Sequence, residues 1–568
     1  MRSKGGVPTL AQWRQLPRFL STRERKFASF ALGAFVIAVA GLGFQWLNKN
    51  QTTIPAVGGE YTEGVVGTPQ FINPLYATAS DVDADLSRLV YSGLMRFDPQ
   101  DGIVPDLASN YTVSEDEKEY VFTLRSDAKW HDSNDVVTAS DVAFTISAIQ
   151  NPEYHSPLAV SFAGIAVEAV DTSTVKFTLD EPFSPFLAAL TVGILPAFEW
   201  QDIAPSSAQL AIQNIKPVGS GPYQFAKLVK DNRGSIRSMT LERNPDFYRG
   251  APYIKKLSFK FYSSVTELTD ALRNKNVEGA SVISSADASA FSDERGLSLQ
   301  NPSLPQFTAA FFNAKHSSVL ADDEVRKALS LAVDRTAIVQ ITGSVASAIN
   351  SPILSGMPGY DASATVPVAD STTAASTLDA AGWTFTEGAT VRSKSDKSLS
   401  FTITTLDSPE LTAAAQELER QWEAIGASVD VAVVDIATLQ SDVLKNRSYD
   451  ILVAGERYGT FADPYPFWHS SQTSYPGLNL GSFSDRKADE AIETARETTD
   501  QTKRAEAFAS LSGLIAEDMP AIMLYQPKYT FALASKIRGV DVPSVTVPSD
   551  RFADVETWYI KAKHEFFR

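Results

Sequence analysis

The chain has 568 residues, 44% of them hydrophobic and 21% charged, a balance that excludes a disordered protein, a wholly membrane-embedded one and a single core of ordinary size. The net charge is −17, and because the first 50 residues hold eight Lys/Arg against one Glu, taking away that +7 leaves −24 on the remainder. So acidic a body repels phosphate backbones and argues against nucleic acid as a partner, while the lack of cysteine excludes disulfides and a lipid-modified cysteine.

In chain order, the first feature is "FASFALGAFVIAVAGLGFQWL" at residues 27–47, which carries no charge and is long enough to cross a bilayer of about 30 Å as a helix. Arg14, Arg18, Arg23, Arg25 and Lys26 precede it and only Lys49 follows closely, so the positive-inside rule predicts a cytoplasmic tail over 1–26. Everything after residue 47 is then outside the cell. A cleaved signal peptide would use Ala38, Val39 and Ala40, but the apolar run continues past them and exceeds the usual h-region of about 7–15 residues. The segment therefore reads as an uncleaved single-pass anchor. Residues 48–59, "NKNQTTIPAVGGE" less its last residue, are polar and Gly/Pro-punctuated, and read as a linker.

Strand and helix patterns mix from there on. Tyr120 to Leu124 alternates as a strand, "TASDVAFTISAIQ" offers a Thr138 or Ser140 cap before Val142, Ile146 and Ile149 at helical spacing, and "TVKFTL" is a further strand. "VGSGPYQF" predicts a tight turn at Gly219, Gly221 and Pro222 before a strand, and Val325, Leu329, Ala332 and Val333 give a helix its apolar face. Past Ser398 the pattern becomes strand "SLSFTITT", a helix opened by Ser408-Pro409-Glu410 and closed by Gly426, strand "SVDVAVVD", helix "IATLQSDVLKN" and strand "YDILVAG". Such a β-α-β-α-β run predicts parallel strands, whose carboxyl ends are where ligands gather. "RYGTFADPYPFWHSS" begins where the last of these strands ends.

No catalytic constellation stands out. His131, His155, His316, His469 and His564 are scattered without a zinc motif, "VGSGP" is not a nucleophile elbow, and no phosphate loop or dinucleotide fingerprint occurs. The sequence predicts neither an enzyme nor a cofactor or metal site.

Six blocks in order, "YSGLMRFDPQDGIVPDLASNYTVSEDEKEYVFTLRSDAKWHD", "VGSGPYQF", "RNPDFYRGAPYIKKLSF", "DDEVRKALSLAVDRTAIV", "YDILVAGERYGTFADPYPFW" and "EDMPAIMLYQPKYTF", resemble the extracellular solute-binding proteins of family 5, which serve oligopeptide and dipeptide ABC importers. The resemblance implies an α/β, two-lobed periplasmic-binding-protein-like fold of type II with an extra subdomain, here following one N-terminal transmembrane helix. Lobe I is expected over 60–300 and 526–568, with the subdomain near 76–200, and lobe II over 305–525. "NPSLPQF" and "LYQPKY" are the expected crossings. The implied function is capture of peptides in an interlobe cleft and delivery to ABC permease subunits, with an oligosaccharide-binding member of the family or a tethered ligand sensor as alternatives.

The resemblance also directs attention within the loop. In the peptide binders an acid four positions before the conserved Pro pairs with the ligand ammonium, and here that position is Thr460. Asp463, next to Pro464, matches a loop-organising acid, and Glu456 is placed to supply charge nearby. Tyr458, Phe461 and Trp468, with Tyr465 and Phe467, offer aromatic platforms on which sugars also stack. The expected ligand-binding residues are Thr460, Tyr458, Phe461, Asp463, Trp468 and Glu456.

Overall fold

A computed structural model describes residues 21–49, 51–292, 294–343 and 345–566, in which Gly58–Ile560 forms one compact unit and the described residues outside it a second. The second unit contains a helix, Thr22–Lys49, and an antiparallel pair of strands, Gln51–Ala56 and Lys561–Phe566. Ser21 and Glu24 cap the helix reciprocally: the Ser21 amide donates to Glu24 Oε2 at 2.8 Å while the Glu24 amide donates to Ser21 Oγ at 3.5 Å. The anchor expected at 27–47 falls on this helix, where Phe27, Phe30, Phe35 and Ile37 are exposed. Among the described residues, however, no helix is long and apolar enough to cross a membrane, so the structure does not supply the expected span. Side chains at 40 and 43–47 and residues 1–20 of the expected tail lie outside what is described. The stretch read as a linker is half strand, because Thr52, Thr53 and Ile54 suit a pleated ladder and find a partner at the far end of the chain.

Within the larger unit, a seven-stranded sheet runs in the order Leu297–Gln300, Phe531–Ala534, Gly279–Ala280, Glu60–Val66, Lys256–Tyr262, Ile236–Arg243 and Tyr223–Lys230. A six-stranded sheet runs Ala346–Ala348, Ala521–Pro527, Gln306–Phe312, Ile451–Arg457, Ser400–Leu406 and Ser428–Val434. The chain passes between them twice, at residues 301–305 and 528–530; the passes touch through a Ser303–Lys528 bridge, and the side-chain amide of Gln526, just before the second pass, donates to Leu304 O at 2.9 Å. Each sheet is the centre of one lobe. A four-stranded antiparallel sheet, Ala108–Val113, Glu119–Leu124, Thr174–Leu179 and Ile165–Ala169, joins the first lobe. Gln526 and Pro527, expected in lobe I, pair with Ser347 and Ala346 in the second sheet instead.

The second lobe follows its sequence pattern closely. Ser400–Leu406 pairs in parallel with both Ser428–Val434 and Ile451–Arg457. The helix Pro409–Glu423 buries Ala415, Leu418 and Trp422 between them, and Gly426 takes φ +95°, which a side chain resists. The Trp422 indole donates to Leu329 O at 3.0 Å, so its polar end is satisfied in the core. The next helix spans the predicted stretch, residues 436–446, but Ile436–Thr438 widens into a π-helical segment over Leu439–Leu444, with Leu439 and Val443 buried.

In the first lobe, strand Glu60–Val66 alternates inward as Tyr61, Glu63 and Val65, which puts a carboxylate at a core position. Arg551 accounts for it: its guanidinium pairs with Glu63 Oε1 at 2.7 Å and with both oxygens of Asp85 at 2.6 Å, all three side chains being buried. Gly219 and Gly221 have a second requirement besides their turn. A Cβ on Gly219 would lie 2.0 Å from Val90 O and one on Gly221 2.7 Å from Leu89 O, so the loop needs glycine to reach the helix Asp81–Val90.

His131 seats this loop. Its Nδ1 accepts from the Gly219 amide at 3.2 Å and its Nε2 donates to Gly221 O at 3.0 Å, which fixes the neutral ring. Burial pushes its pKa from 6.5 down to about 4. Between those values the unfolded chain binds a proton that the folded one refuses, so stability should fall as pH drops from about 6.5 towards 4, by up to about 3 kcal/mol. His131→Gln should flatten that part of a denaturant-derived stability profile; an unchanged slope would count against the assignment.

Candidate ligand-binding cleft

The strand Ile451–Arg457 ends at the second sheet's edge towards the first lobe, and the loop after it is held from behind. The Tyr458 amide donates to Pro305 O at 2.8 Å, tying the loop to one interlobe crossing. Gly459 at φ +74° and Ala462 at φ +53° turn the chain, and Asp463 accepts from the Tyr465 amide at 3.0 Å to close the turn. Asp463 also pairs with Arg496 at 3.1 Å, and burial raises its pKa against that cation.

A cavity of about 490 Å³ opens beside this loop, between the two lobes. The second lobe contributes Arg457, Tyr458, Thr460 and Phe461. The first lobe contributes one face of the helix Asp81–Val90 through Asp81, Ala84, Ser87 and Arg88, the stretch around Gly193, and the segment from Val547 to Ala553. Thr460 and Thr546 bring their hydroxyls to 3.3 Å, joining the lobes directly. A second seam lies along the helix Arg486–Glu497, where the Ser184 hydroxyl donates to Ala495 O at 3.0 Å and its amide to Arg496 O at 2.7 Å. The Arg496 guanidinium lies 4.2 Å from the Tyr465 ring and 5.3 Å from the Phe183 ring, one from each lobe. The lobes are thus in contact at two seams.

The six residues singled out from the sequence separate into two groups. Thr460, Tyr458 and Phe461 line the cavity. Trp468 is fully buried, stacked on Phe307 at 6.2 Å with its indole donating to the Tyr458 hydroxyl at 3.2 Å, and that hydroxyl donates in turn to Pro352 O at 2.9 Å. Asp463 serves the turn and Arg496, and is not among the lining residues. Glu456 points into the second lobe's interior, buried, with neither carboxyl oxygen hydrogen-bonded. Among the aromatic platforms, Phe467 is buried, Tyr465 is stacked on His469 at 4.3 Å and Phe461 is covered by Arg504 at 4.5 Å.

The first-lobe wall had no motif to announce it. Helix Asp81–Val90 and segment 547–553 are held together by Arg551, which ties Asp85 to Pro548, whose carbonyl accepts from Nη1 at 2.9 Å, and by Arg88, which meets Asp550 at 3.4 Å. The nearest sequence signal is "PSDRF", in which Asp550 and Arg551 stand side by side amid residues that otherwise read as loop. Arg457 opens the quoted loop, but only its place beside the cavity gives its charge a meaning.

The sequence model of the bacterial extracellular solute-binding proteins, family 5 Middle, matches residues 102–479. The Oligopeptide-binding protein AppA of Bacillus subtilis (strain 168) is 25% identical over 522 residues, covering 90% of this chain and 93% of that protein. The probable D,D-dipeptide-binding periplasmic protein DdpA of Escherichia coli (strain K12) is 27% identical over 495 residues, covering 84% and 90%. Among solved structures, NikZ from Campylobacter jejuni in complex with Ni(L-His) superposes with a TM-score of 0.68 at 26% identity, over 88% of this chain and 99% of that one. AppA from Bacillus subtilis in complex with a nonapeptide gives 0.66 at 25% identity, over 89% and 100%.

Glu456 yields a test of the second lobe's interior. Burial without a partner holds its carboxyl well above the usual carboxylate range, so it stays protonated in the folded chain while the unfolded chain ionises it from about 4.5 upward. Stability should therefore be lost as pH rises through and above that range, and Glu456→Gln, neutral throughout, should be more stable than the parent at pH 7 and show less of this loss. Equal or lower stability of the variant at pH 7 in urea titrations would refute the uncompensated carboxyl.

Proposed function

Because the chain belongs to the bacterial extracellular solute-binding proteins of family 5, binding proteins rather than enzymes, we propose that it captures short peptides outside the cell in the interlobe cavity and delivers them to an ABC importer. The observation that carries the reading is the cavity itself, built from both lobes at the carboxyl end of a second-sheet strand and bridged by the Thr460 and Thr546 hydroxyls. Walls from two lobes joined by two crossings close over a ligand and release it without covalent chemistry.

Cavity size favours short ligands. A volume of about 490 Å³ suits a compact small molecule, whereas an extended nonapeptide spans roughly 30 Å. Of the aromatic groups that would favour a saccharide, Trp468 and Phe467 are engaged in the core, and Phe461, though it lines the cavity, already stacks with Arg504. Thr460 contributes a neutral hydroxyl where the family's peptide binders are expected to carry an acid, so any charge pairing with the ligand falls to other residues. Thr460, Tyr458 and Phe461 are the ligand-facing residues of the proposal, Asp463 and Trp468 hold the loop that presents them, and Glu456 lies behind it, unpaired in the lobe's interior.

The proposal includes attachment to the membrane through residues 27–47. It is supported by the uncharged run, the basic residues ahead of it and the exposed apolar side chains of the helix Thr22–Lys49.

In a thermal-shift and calorimetric panel on the full chain, di-, tri- and tetrapeptides should raise the melting temperature, by the equivalent of about 2.7 kcal/mol at a hundredfold excess over Kd. A nonapeptide and a maltotetraose should not. Binding of the saccharide alone would overturn the peptide assignment. In cell fractionation the full chain should sediment with membranes and resist carbonate, and removal of residues 1–49 should release it; a full chain that washes off would leave the binding reading but end the anchor.

A further inference from the structure

Seven charged residues line the cavity, and five of them are already paired. Arg88 meets Asp550 at 3.4 Å, and Asp550 accepts further from Thr546 and Val547. Arg96 is held by Asp98 at 2.8 Å and Asp554 at 3.4 Å. Asp106 accepts from the Tyr248 hydroxyl at 2.8 Å and faces Arg249 at 3.7 Å, while Arg249 reaches Glu556 at 3.1 Å. The remaining two are Asp81 and Arg457. Among the described residues neither makes an ion pair or a side-chain hydrogen bond, and both are exposed towards the space they line.

These two charges are opposite in sign and sit on opposite lobes. Asp81 begins the helix Asp81–Val90 of the first lobe, and Arg457 ends the strand Ile451–Arg457 of the second. The other lining charges are already neutralised by a partner that a ligand would have to share or displace. Asp81 and Arg457 give up only water. Arg457 also changes the sign of its loop: where the peptide binders that this chain resembles are expected to present an acid at Thr460, this loop presents a hydroxyl there and a guanidinium three residues earlier. A guanidinium repels an ammonium and binds a carboxylate with two parallel N–H donors.

We propose that the cavity takes a short zwitterionic ligand with its ammonium at Asp81 on the first lobe and its carboxylate at Arg457 on the second. The inference rests on the peptide-receptor reading above and adds to it an orientation, opposite to one in which the second-lobe loop holds the amino end. Each end of the ligand then touches a different lobe, so a free-ended ligand ties the lobes together and one blocked at either end ties them less.

The test is isothermal titration of the full chain with trialanine, N-acetyltrialanine and trialanine amide, for the parent, Asp81→Asn, Arg457→Gln and Arg457→Lys. Removing one charge-assisted contact is expected to weaken trialanine binding about tenfold to a hundredfold. In the parent both blocked peptides should bind more weakly than trialanine. In Asp81→Asn the acetyl group should cease to matter while the amide still does, and in Arg457→Gln the reverse should hold. Arg457→Lys should keep part of the preference for a free carboxylate. Both side chains are exposed and unpaired, so the variants should melt with the parent. If trialanine binds the parent and both neutral variants equally, or if the acetyl effect follows Arg457 and not Asp81, the orientation is wrong while the receptor reading stands. If longer or blocked peptides bind and trialanine does not, the short zwitterion is wrong and the receptor reading again stands. If no peptide binds, both fall.

Discussion

Arg551 and its two carboxylates hold together the part of the molecule on which the cleft depends. Three charged side chains lie within the first lobe's core, each carrying a desolvation cost of several kcal/mol that only close pairing offsets. The guanidinium joins the central strand through Glu63, the helix Asp81–Val90 through Asp85, and its own segment through Pro548 O. Two of those three elements are cavity walls. An apolar substitute of similar size would fill the volume but would lose the five directed N–H groups that fix the helix and the segment relative to each other.

From that fixed wall the second lobe needs few contacts to complete the site. Thr460 meets Thr546, whose hydroxyl also donates to Asp550 at 2.5 Å, and Asp550 faces Arg88 on the helix. The interlobe contact is thus continuous with the first-lobe framework. At the second seam, Arg496 sits between Tyr465 and Phe183 and pairs with Asp463, so the same loop that lines the cavity also carries this contact. Opening the lobes would expose aromatic faces and separate single hydroxyl and amide contacts, each worth little alone, which suits a cleft that must admit and release its ligand. The buried loop residues have the opposite character. Tyr458, Trp468 and Phe307 form a packed, hydrogen-bonded cluster that gives the lining residues a rigid base.

The sequence by itself determined the second lobe's β-α-β core, because helical spacing of Ala415, Leu418 and Trp422, a Ser-Pro-Glu start and a Gly426 stop all act within a few residues of one another. It also determined the family, through ordered blocks, and the fact that the loop after Ile451–Arg457 borders a cleft, since parallel connectivity places strand ends there. It did not determine which of that loop's aromatic residues face the ligand. Tyr458, Phe461 and Trp468 have similar hydrophobicity and spacing, and whether each is base or lining depends on Pro352, Arg504 and Phe307, far away in the chain. The three-dimensional structure alone decided that Glu63 is a core residue, that segment 547–553 is a wall, and that Asp81 and Arg457 are the lining charges without a partner among the described residues. The pairings of Arg551 span 488 and 466 residues of chain, and a carboxylate or guanidinium carries no local mark of whether its partner exists.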